Sequence, residues 1–91
     1  MTITLEYLKK FSKSHQLMMI GAELERARVW QRKDEENFKG AISRALELID
    51  IMLHDMRWLG QIAMLLGLRN ELSSYYIGDK QSDISKLYQA L

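Results

Sequence analysis

A run of polar side chains near the end of the third predicted helix contains the residues best suited to chemistry. It reads Arg69-Asn70-Glu71-Leu72-Ser73-Ser74-Tyr75-Tyr76. On an ideal helix Tyr76 shares a face with Arg69, seven residues before it, while Asn70 and Ser74, four apart, share the adjacent face. Arg69 and Ser74 are then about 140° apart around the helix axis. Both can line one groove only if it is wide, the helix end is irregular or a second copy contributes.

The same run resembles the signature of the HEPN superfamily, a group of small helical bundles tied to RNA cleavage and nucleotide transfer. That signature is an Arg, a polar residue, three further residues, a His, one residue and a Tyr. Arg69, Asn70 and Tyr76 fall on it, and Ser74 stands where the signature has its His. The resemblance covers this run and the layout of four helices.

The resemblance implies the activity of active HEPN proteins, which is metal-independent RNA cleavage in a cleft between two subunits. The His moves a proton at the ribose 2′-hydroxyl, the Arg holds the scissile phosphate and the polar residue orients them. Histidine suits this step because its pKa lies near neutrality. The Ser74 hydroxyl is essentially un-ionised near neutral pH and cannot be a general base unaided. Neither His15 nor His54 obviously replaces the missing group, so conventional ribonuclease activity is not expected.

A purely structural interpretation of these residues stays open. Arg69 could pair with Glu71, Asp50 or another carboxylate. Its polar neighbours would then be ordinary exposed positions, and Tyr76 would lie at the edge of the core with its hydroxyl in water.

The elements that position the run are predicted to be helices throughout. Apolar residues recur with helical period, and the chain has no proline. A first helical stretch covers about residues 4–32, with a break near residues 12–14. Asp34 is expected to cap a second helix. Because the link between these two helices is short, they should be antiparallel neighbours.

The third and fourth helices are predicted from their end signals. Asp55 is the expected cap of the third helix, and Gly78 is expected to end it in the left-handed conformation. A short last helix starts at Ser82 or Asp83. The residues predicted to form the apolar face of the third helix are Leu59, Ile62, Leu65 or Leu66, and Leu72.

Small residues line one side of the third helix. Gly60, Ala63 and Gly67 are spaced to fall on that side. A glycine inside a helix costs roughly 1 kcal/mol relative to alanine. Two such glycines predict a close approach of another helix, from this chain or from a second subunit.

Size and composition limit the fold class. The 91 residues are expected to form one domain, residues 1–91, folded as an all-α, up-and-down bundle of three main helices and a short fourth. A core this small favours association, with a homodimer as the default. The chain has no cysteine, which excludes disulfides and thiolate zinc sites and favours the reducing cytoplasm. Neither a signal peptide nor an apolar run of about 20 residues is present, so no membrane association is predicted.

Charge is unevenly distributed, although the net charge is only +1. Up to Lys33 the chain has seven basic and three acidic residues, and the remainder has six basic and nine acidic ones. The first helix could present a modest basic face to phosphates, or this could be a solvated helix face. Neither metal-ligand spacing nor a glycine-rich phosphate loop occurs, so no metal and no cofactor are predicted.

Three functional hypotheses follow. The first is a HEPN-like module, toxin–antitoxin-like, that binds RNA, a nucleotide or a small nucleotidyltransferase partner through Arg69, Asn70, Ser74 and Tyr76 and is not a conventional ribonuclease. In HEPN toxins paired with such a transferase the motif Tyr is a modification target, and Tyr76 is the matching position. The second is an active metal-independent ribonuclease with an altered mechanism. The third is a structural helical adaptor without a ligand.

Overall fold

The computed structural model describes residues 3–89, and every regular element in this part of the chain is helical. The elements are α1 (Leu5–Leu8), α2 (Lys13–Trp30), α3 (Glu35–Met52), a 3₁₀ helix (Met56–Gln61), α4 (Ile62–Ile77) and α5 (Ser85–Gln89). The predicted all-α bundle of three main helices and a short last one is confirmed; the two residues at each end of the predicted domain lie outside the described part. None of the helices described is long and apolar enough to cross a bilayer.

Side-chain caps decide where several helices begin. The break expected near residues 12–14 is confirmed, because the Ser12 hydroxyl accepts a backbone N–H at 3.0 Å and starts α2. The Asp34 carboxylate accepts a backbone N–H at 3.1 Å, which confirms it as the cap of α3. Asp55 is also a cap, but it starts the 3₁₀ helix. The helix α4 follows without a side-chain cap.

The helices pack around one apolar core. The antiparallel pair α2 and α3 forms its centre, α4 packs antiparallel on α3, and α5 lies against α2. The buried core residues are Leu8, Ile20, Leu24, Ala27, Phe38, Ala41, Ile42, Ala45, Leu48, Ile49, Met52, Trp58, Leu65, Leu68, Leu72, Tyr75 and Ile84.

The buried face of α4 matches the predicted one only in part, since Leu65 and Leu72 are buried as expected but Leu68 and Tyr75 were not predicted. Leu59, which precedes α4, and Leu66 are 65% and 46% exposed. The buried residues of α4 are Leu65, Leu68, Leu72 and Tyr75. Apolar side chains occur all around this helix, so the apolar period alone does not select the side that faces the core.

A buried glutamine joins three elements at one end of the bundle. The side-chain amide of Gln16 donates to the carbonyl of Leu8 at 2.8 Å, and its oxygen accepts from the indole N–H of Trp58 at 2.7 Å. Gln16 and Trp58 are 1% and 2% exposed. The end of α1, the start of α2 and the 3₁₀ helix are thereby fixed to one another through hydrogen bonds that water does not reach.

An ion pair completes this joint. The Arg57 guanidinium donates to the buried carboxylate of Asp55 at 2.8 Å and to the carbonyl of Phe11 at 3.0 Å. The hydrogen bond from Arg57 holds the pKa of Asp55 below its ordinary value, although burial acts in the opposite direction. Gln16, Asp55, Arg57 and Trp58 together are called the Gln16 cluster below.

The other end of α2 is held by a second glutamine. Gln31 donates to the carbonyl of Ser82 at 2.8 Å and accepts from the backbone N–H of Ile84 at 2.9 Å. Nearby, Gly78 ends α4 with φ of 87°, which confirms the predicted left-handed position. The loop between α4 and α5 is therefore attached both to α2 and to the end of α4.

Candidate functional site

The last turns of α4 carry all four predicted site residues, Arg69, Asn70, Ser74 and Tyr76. These turns are firmly held, because α4 ends at a glycine suited to the left-handed conformation and the backbone N–H of Lys80 returns to the carbonyl of Ser74 at 3.1 Å. The site residues thus stand on a fixed helix and not on a loop.

Arg69 makes an ion pair with the neighbouring helix. Its Nε donates to Oδ1 of Asp50 on α3 at 2.6 Å, which is one of the pairings that the structural interpretation allowed. This hydrogen bond raises the pKa of Arg69 further above its ordinary value, so the guanidinium remains charged. The two side chains are 41% and 50% exposed. Because exposed ion pairs add little to stability, Arg69 can exchange Asp50 for another anion at small cost.

The Ser74 hydroxyl is bonded within its own helix. Its Oγ donates to the backbone carbonyl of Asn70, one turn earlier, at 3.2 Å. Asn70 is exposed and Ser74 is half-buried. The proton of the Ser74 hydroxyl therefore has a backbone acceptor and is not directed at a base.

The two adjacent tyrosines have different environments. Tyr75 is buried, and its hydroxyl lies 3.0 Å from that of Ser82. Tyr76 is 39% exposed, and the ammonium of Lys39 lies 5.6 Å from the centre of its ring. Tyr76 is therefore the one of this pair that a ligand or a partner protein can reach.

The structure brings Arg69 and Tyr76 together but separates them from Asn70 and Ser74. The partners of Arg69 and Tyr76 both lie on α3, so these two side chains occupy the side of α4 that borders that helix. Asn70 and Ser74 lie further around α4, away from its buried face. The predicted division into two adjacent faces is confirmed, and a single copy of the described chain does not direct all four side chains at one ligand.

Neither histidine lies near Ser74. His15 stacks on Phe11 with ring centres 4.7 Å apart, in the first turn of α2. His54 precedes the 3₁₀ helix. Ser74 is twelve residues into α4, which places it about 18 Å along the axis from the start of that helix. The imidazoles are at the opposite end of the bundle from the motif.

The small residues of the third predicted helix face outward. A Cβ built on Gly60 or Gly67 would meet no atom within 4 Å, and Ala63 is exposed. The predicted close approach therefore does not involve another helix of the described chain. This surface is called the outer face of α4, and its residues are Ala63, Leu66, Gly67, Asn70, Ser74 and Ile77.

A cavity beside the same end of the bundle was not predicted from the sequence. It has a volume of about 440 Å³ and lies between the α2–α3 turn and the α4–α5 loop. Arg32, Lys33, Lys39 and Lys80 line it. The excess of basic residues up to Lys33 was a signal for it, but that excess was assigned to a helix face, whereas Arg32 and Lys33 lie in the turn.

Comparisons with known proteins found no similar sequence or structure, so any functional assignment rests on the residues described above. No protein-family model matches the sequence, and searches of curated proteins and of solved structures gave no match.

Proposed function

We propose that the protein is a HEPN-like binding module that pairs with a second copy of itself along the outer face of α4 and binds RNA or a nucleotide beside it, without ribonuclease activity. The observation that supports this most is the position of the motif. Arg69, Asn70, Ser74 and Tyr76 all lie on or next to a helix surface that no other part of the described chain covers.

The charge of Arg69 supports a phosphate ligand. Its guanidinium can hold two phosphate oxygens at once, and its present partner Asp50 is an exposed carboxylate on a neighbouring helix. An RNA phosphodiester would replace one exposed anion by another of equal charge, and the terminal phosphate of a nucleotide would replace it by one of higher charge. Tyr76 lies on the same side of α4 and offers a ring for stacking on a base.

The composition of the outer face of α4 supports a second copy of the chain as its binding partner. Leu66 and Ile77 are 46% and 68% exposed, and between them Gly67 leaves room for a close backbone approach. Arg69 and Ser74 point in directions about 140° apart, so one copy cannot direct both at one ligand. Two copies related by a twofold axis would place the motif of each beside that of the other.

Ser74 supports binding without cleavage. Its hydroxyl donates to the carbonyl of Asn70, and neither histidine of the chain lies at this end of the bundle. Ribose 2′-hydroxyl activation needs a base that titrates near neutral pH, and the motif has none. Asn70 remains as a hydrogen-bond donor, and the oxygen of the Ser74 hydroxyl remains as an acceptor.

The test measures RNA binding and RNA cleavage in EDTA for wild type and two variants. The variants are expected to change the RNA affinity in opposite directions. Arg69→Ala should weaken binding about tenfold or more, since it removes a charged phosphate contact. Asp50→Asn should strengthen binding, because it releases the guanidinium. None of the three proteins should cleave. Cleavage by wild type that Arg69→Ala abolishes would instead establish the ribonuclease hypothesis.

A matched control separates this site from general charge. Arg28 is paired with Glu25 on α2, and both side chains are about half exposed, as at Arg69 and Asp50. Arg28→Ala should leave RNA binding unchanged. Equal losses in Arg28→Ala and Arg69→Ala would refute a specific role for Arg69, and the absence of any RNA or nucleotide binding would favour the adaptor.

The dimer is tested by a substitution that only a second copy would feel. Gly67→Gln has space in one copy, because nothing lies within 4 Å of its Cβ position. Sedimentation equilibrium should show a dimer for wild type and a monomer for Gly67→Gln, with the same helix content. Ser43→Gln, on the exposed surface of α3, is the control and should stay dimeric. A monomeric wild type would refute the pairing.

A second candidate function is that of a substrate for a small nucleotidyltransferase partner, with Tyr76 as the acceptor. The observation in its favour is the exposure of Tyr76 beside the Lys39 ammonium, which would balance the charge of an attached phosphate. Nucleotide transfer should then fail on Tyr76→Phe. Nucleotide transfer should still occur on the control variant Tyr88→Phe, because Tyr88, although similarly exposed at 44%, is not the proposed acceptor. Equal modification of wild type and Tyr76→Phe would refute this role.

A further inference from the structure

We propose that the cavity between the α2–α3 turn and the α4–α5 loop binds a small organic phosphate, with the phosphate at its basic rim and an apolar group against Ile77. This site adjoins the outer face of α4, with which it shares Ile77, but it does not depend on the function proposed there.

Four basic side chains from three separate segments meet at this cavity. Arg32 and Lys33 come from the turn, Lys39 from α3 and Lys80 from the α4–α5 loop. Lys80 is 41 residues away from Lys39 in sequence, so the fold brings it to the three cations of the turn and the start of α3. Several cations around one concave space raise the local concentration of anions.

The acidic residues near the rim offset only part of this charge. Lys80 is ion-paired with Glu71, but both side chains are more than 40% exposed, so a competing anion can displace the carboxylate. Asp34 uses both carboxylate oxygens on Asn37, as the cap of α3. The side chain of Glu35 is 80% exposed and lies 3.4 Å from Lys39, an exposed pair that a competing anion can displace. Lys33 has no carboxylate partner among residues 3–89. A phosphate would supply the missing counter-charge.

Arg32 is held at the rim in an unusual backbone conformation. Its φ of 65° is in the left-handed region, and it is the only residue other than glycine with a positive φ in the described chain. Its guanidinium donates to the carbonyl of Gln81 at 2.8 Å. This single neutral acceptor leaves further donors of the guanidinium open to a phosphate. The turn and the α4–α5 loop are thus tied together on either side of the cavity.

The cavity also has an apolar side. Phe38 and Tyr75 contribute the edges of nearly buried rings, and Ile77 is 68% exposed beside them. The volume of about 440 Å³ is within the range of small-molecule sites. A charged rim and an exposed isoleucine suit a molecule with one phosphate and one small apolar group, and they suit inorganic phosphate less well.

The experiment is a titration of the ¹⁵N-labelled protein with phenyl phosphate, inorganic phosphate and phenol, followed by amide chemical shifts. Phenyl phosphate should shift the amides of Arg32, Lys33, Lys39 and Lys80 and bind about tenfold more tightly than inorganic phosphate. Phenol should cause no such shifts. Absence of shifts at these amides with either phosphate would overturn the proposal, and shifts confined to Asn70 and Ser74 would assign the ligand to the outer face of α4 instead.

Variants identify the groups responsible. Lys33→Gln should weaken the binding of phenyl phosphate and of inorganic phosphate about fivefold, since it removes one of the cations. In the Gly67→Gln background, which already removes pairing along the outer face, Ile77→Ser should remove most of the preference for phenyl phosphate over inorganic phosphate. Lys10→Gln, at an exposed lysine near the other end of the bundle, is the control and should change neither affinity. If Lys33→Gln and Lys10→Gln weakened phosphate binding equally, the effect would come from net charge alone, and the site would be refuted.

Discussion

The Gln16 cluster and the motif end of α4 are both rich in polar side chains, but they differ in burial. In the Gln16 cluster the side chains of Gln16, Asp55 and Trp58 are almost fully buried, and each has a dedicated partner. At the motif, Arg69 and Tyr76 are roughly 40% exposed, and their contacts are single interactions at the surface. Polar groups of the first kind fix how elements join, whereas those of the second kind remain exchangeable.

This difference separates stability from binding. No buried side-chain nitrogen or oxygen lacks a hydrogen-bond partner among the residues that the structure describes. Removing one partner from such a set leaves a desolvated group, which is costly. When an exposed partner is removed, water solvates the remaining group, so the loss of stability is small. Substitutions in the Gln16 cluster should therefore affect folding, and substitutions at the motif should affect only binding.

The largest effect is expected for Gln16→Leu. This substitution leaves the Trp58 indole N–H buried without an acceptor and should lower the free energy of unfolding by about 2.5 kcal/mol, measured by urea denaturation. Adding Trp58→Phe should restore part of that loss, since the orphaned donor is then gone. Gln81→Leu, in the exposed loop, is the control. A loss no larger in Gln16→Leu than in Gln81→Leu would break the comparison.

A smaller effect, dependent on pH, is expected for Asp55→Asn. The pKa of Asp55 in the folded protein is held below 3.8, its ordinary value, by the Arg57 hydrogen bond. The carboxylate therefore stabilises the fold above that pH, and this contribution is lost as the pH falls through the lower folded-state pKa. Urea midpoints of wild type and Asp55→Asn should differ at neutral pH and converge in acid. A difference that stayed constant down to strongly acidic pH would contradict this role.

A still smaller effect is expected for Gln31→Ala at the other end of α2. Two hydrogen bonds to the α4–α5 loop are lost, but the site is only half-buried and water can replace them. The free energy of unfolding should fall by about 1 kcal/mol. Hydrogen exchange at the Ile84 amide, which loses its acceptor, should accelerate more than exchange in α3. Uniform acceleration along the chain would indicate global destabilisation instead.

The smallest effect on folding is expected for Arg69→Ala. Because the ion pair with Asp50 is exposed, the urea midpoint should match that of wild type. RNA binding should nevertheless fall in this variant. A lowered midpoint together with unchanged binding would assign Arg69 to the fold and sharpen the case for a structural adaptor.

Local signals made much of the fold predictable. Ser12 falls within the expected break in the first helix, and the cap at Asp34 and the end at Gly78 were expected directly, because each depends on residues within one turn. The division of the motif into two faces followed from helix geometry alone. These features need no knowledge of which helices touch.

The remainder depends on contacts between distant residues. The hydrogen bond between Gln16 and Trp58 joins positions 42 apart, and nothing in the local sequence marks either residue as a partner. The buried side of α4 was misassigned in part because leucines surround the helix. The pairing of Arg69 with Asp50 was one of several open alternatives, and only the packing of α4 on α3 selects it.

The unequal anchoring of α4 has a consequence for its motion. Its first turn has no side-chain cap, and Gly67 lies in its first half, whereas its last turns are held by Gly78 and by the bond from Lys80 to Ser74. Opening fluctuations of α4 should therefore be largest in its first half, between the 3₁₀ helix that Trp58 fixes and the motif. The first half of the outer face, at Ala63, Leu66 and Gly67, would then have room to adjust, while Arg69 and Tyr76 keep their positions.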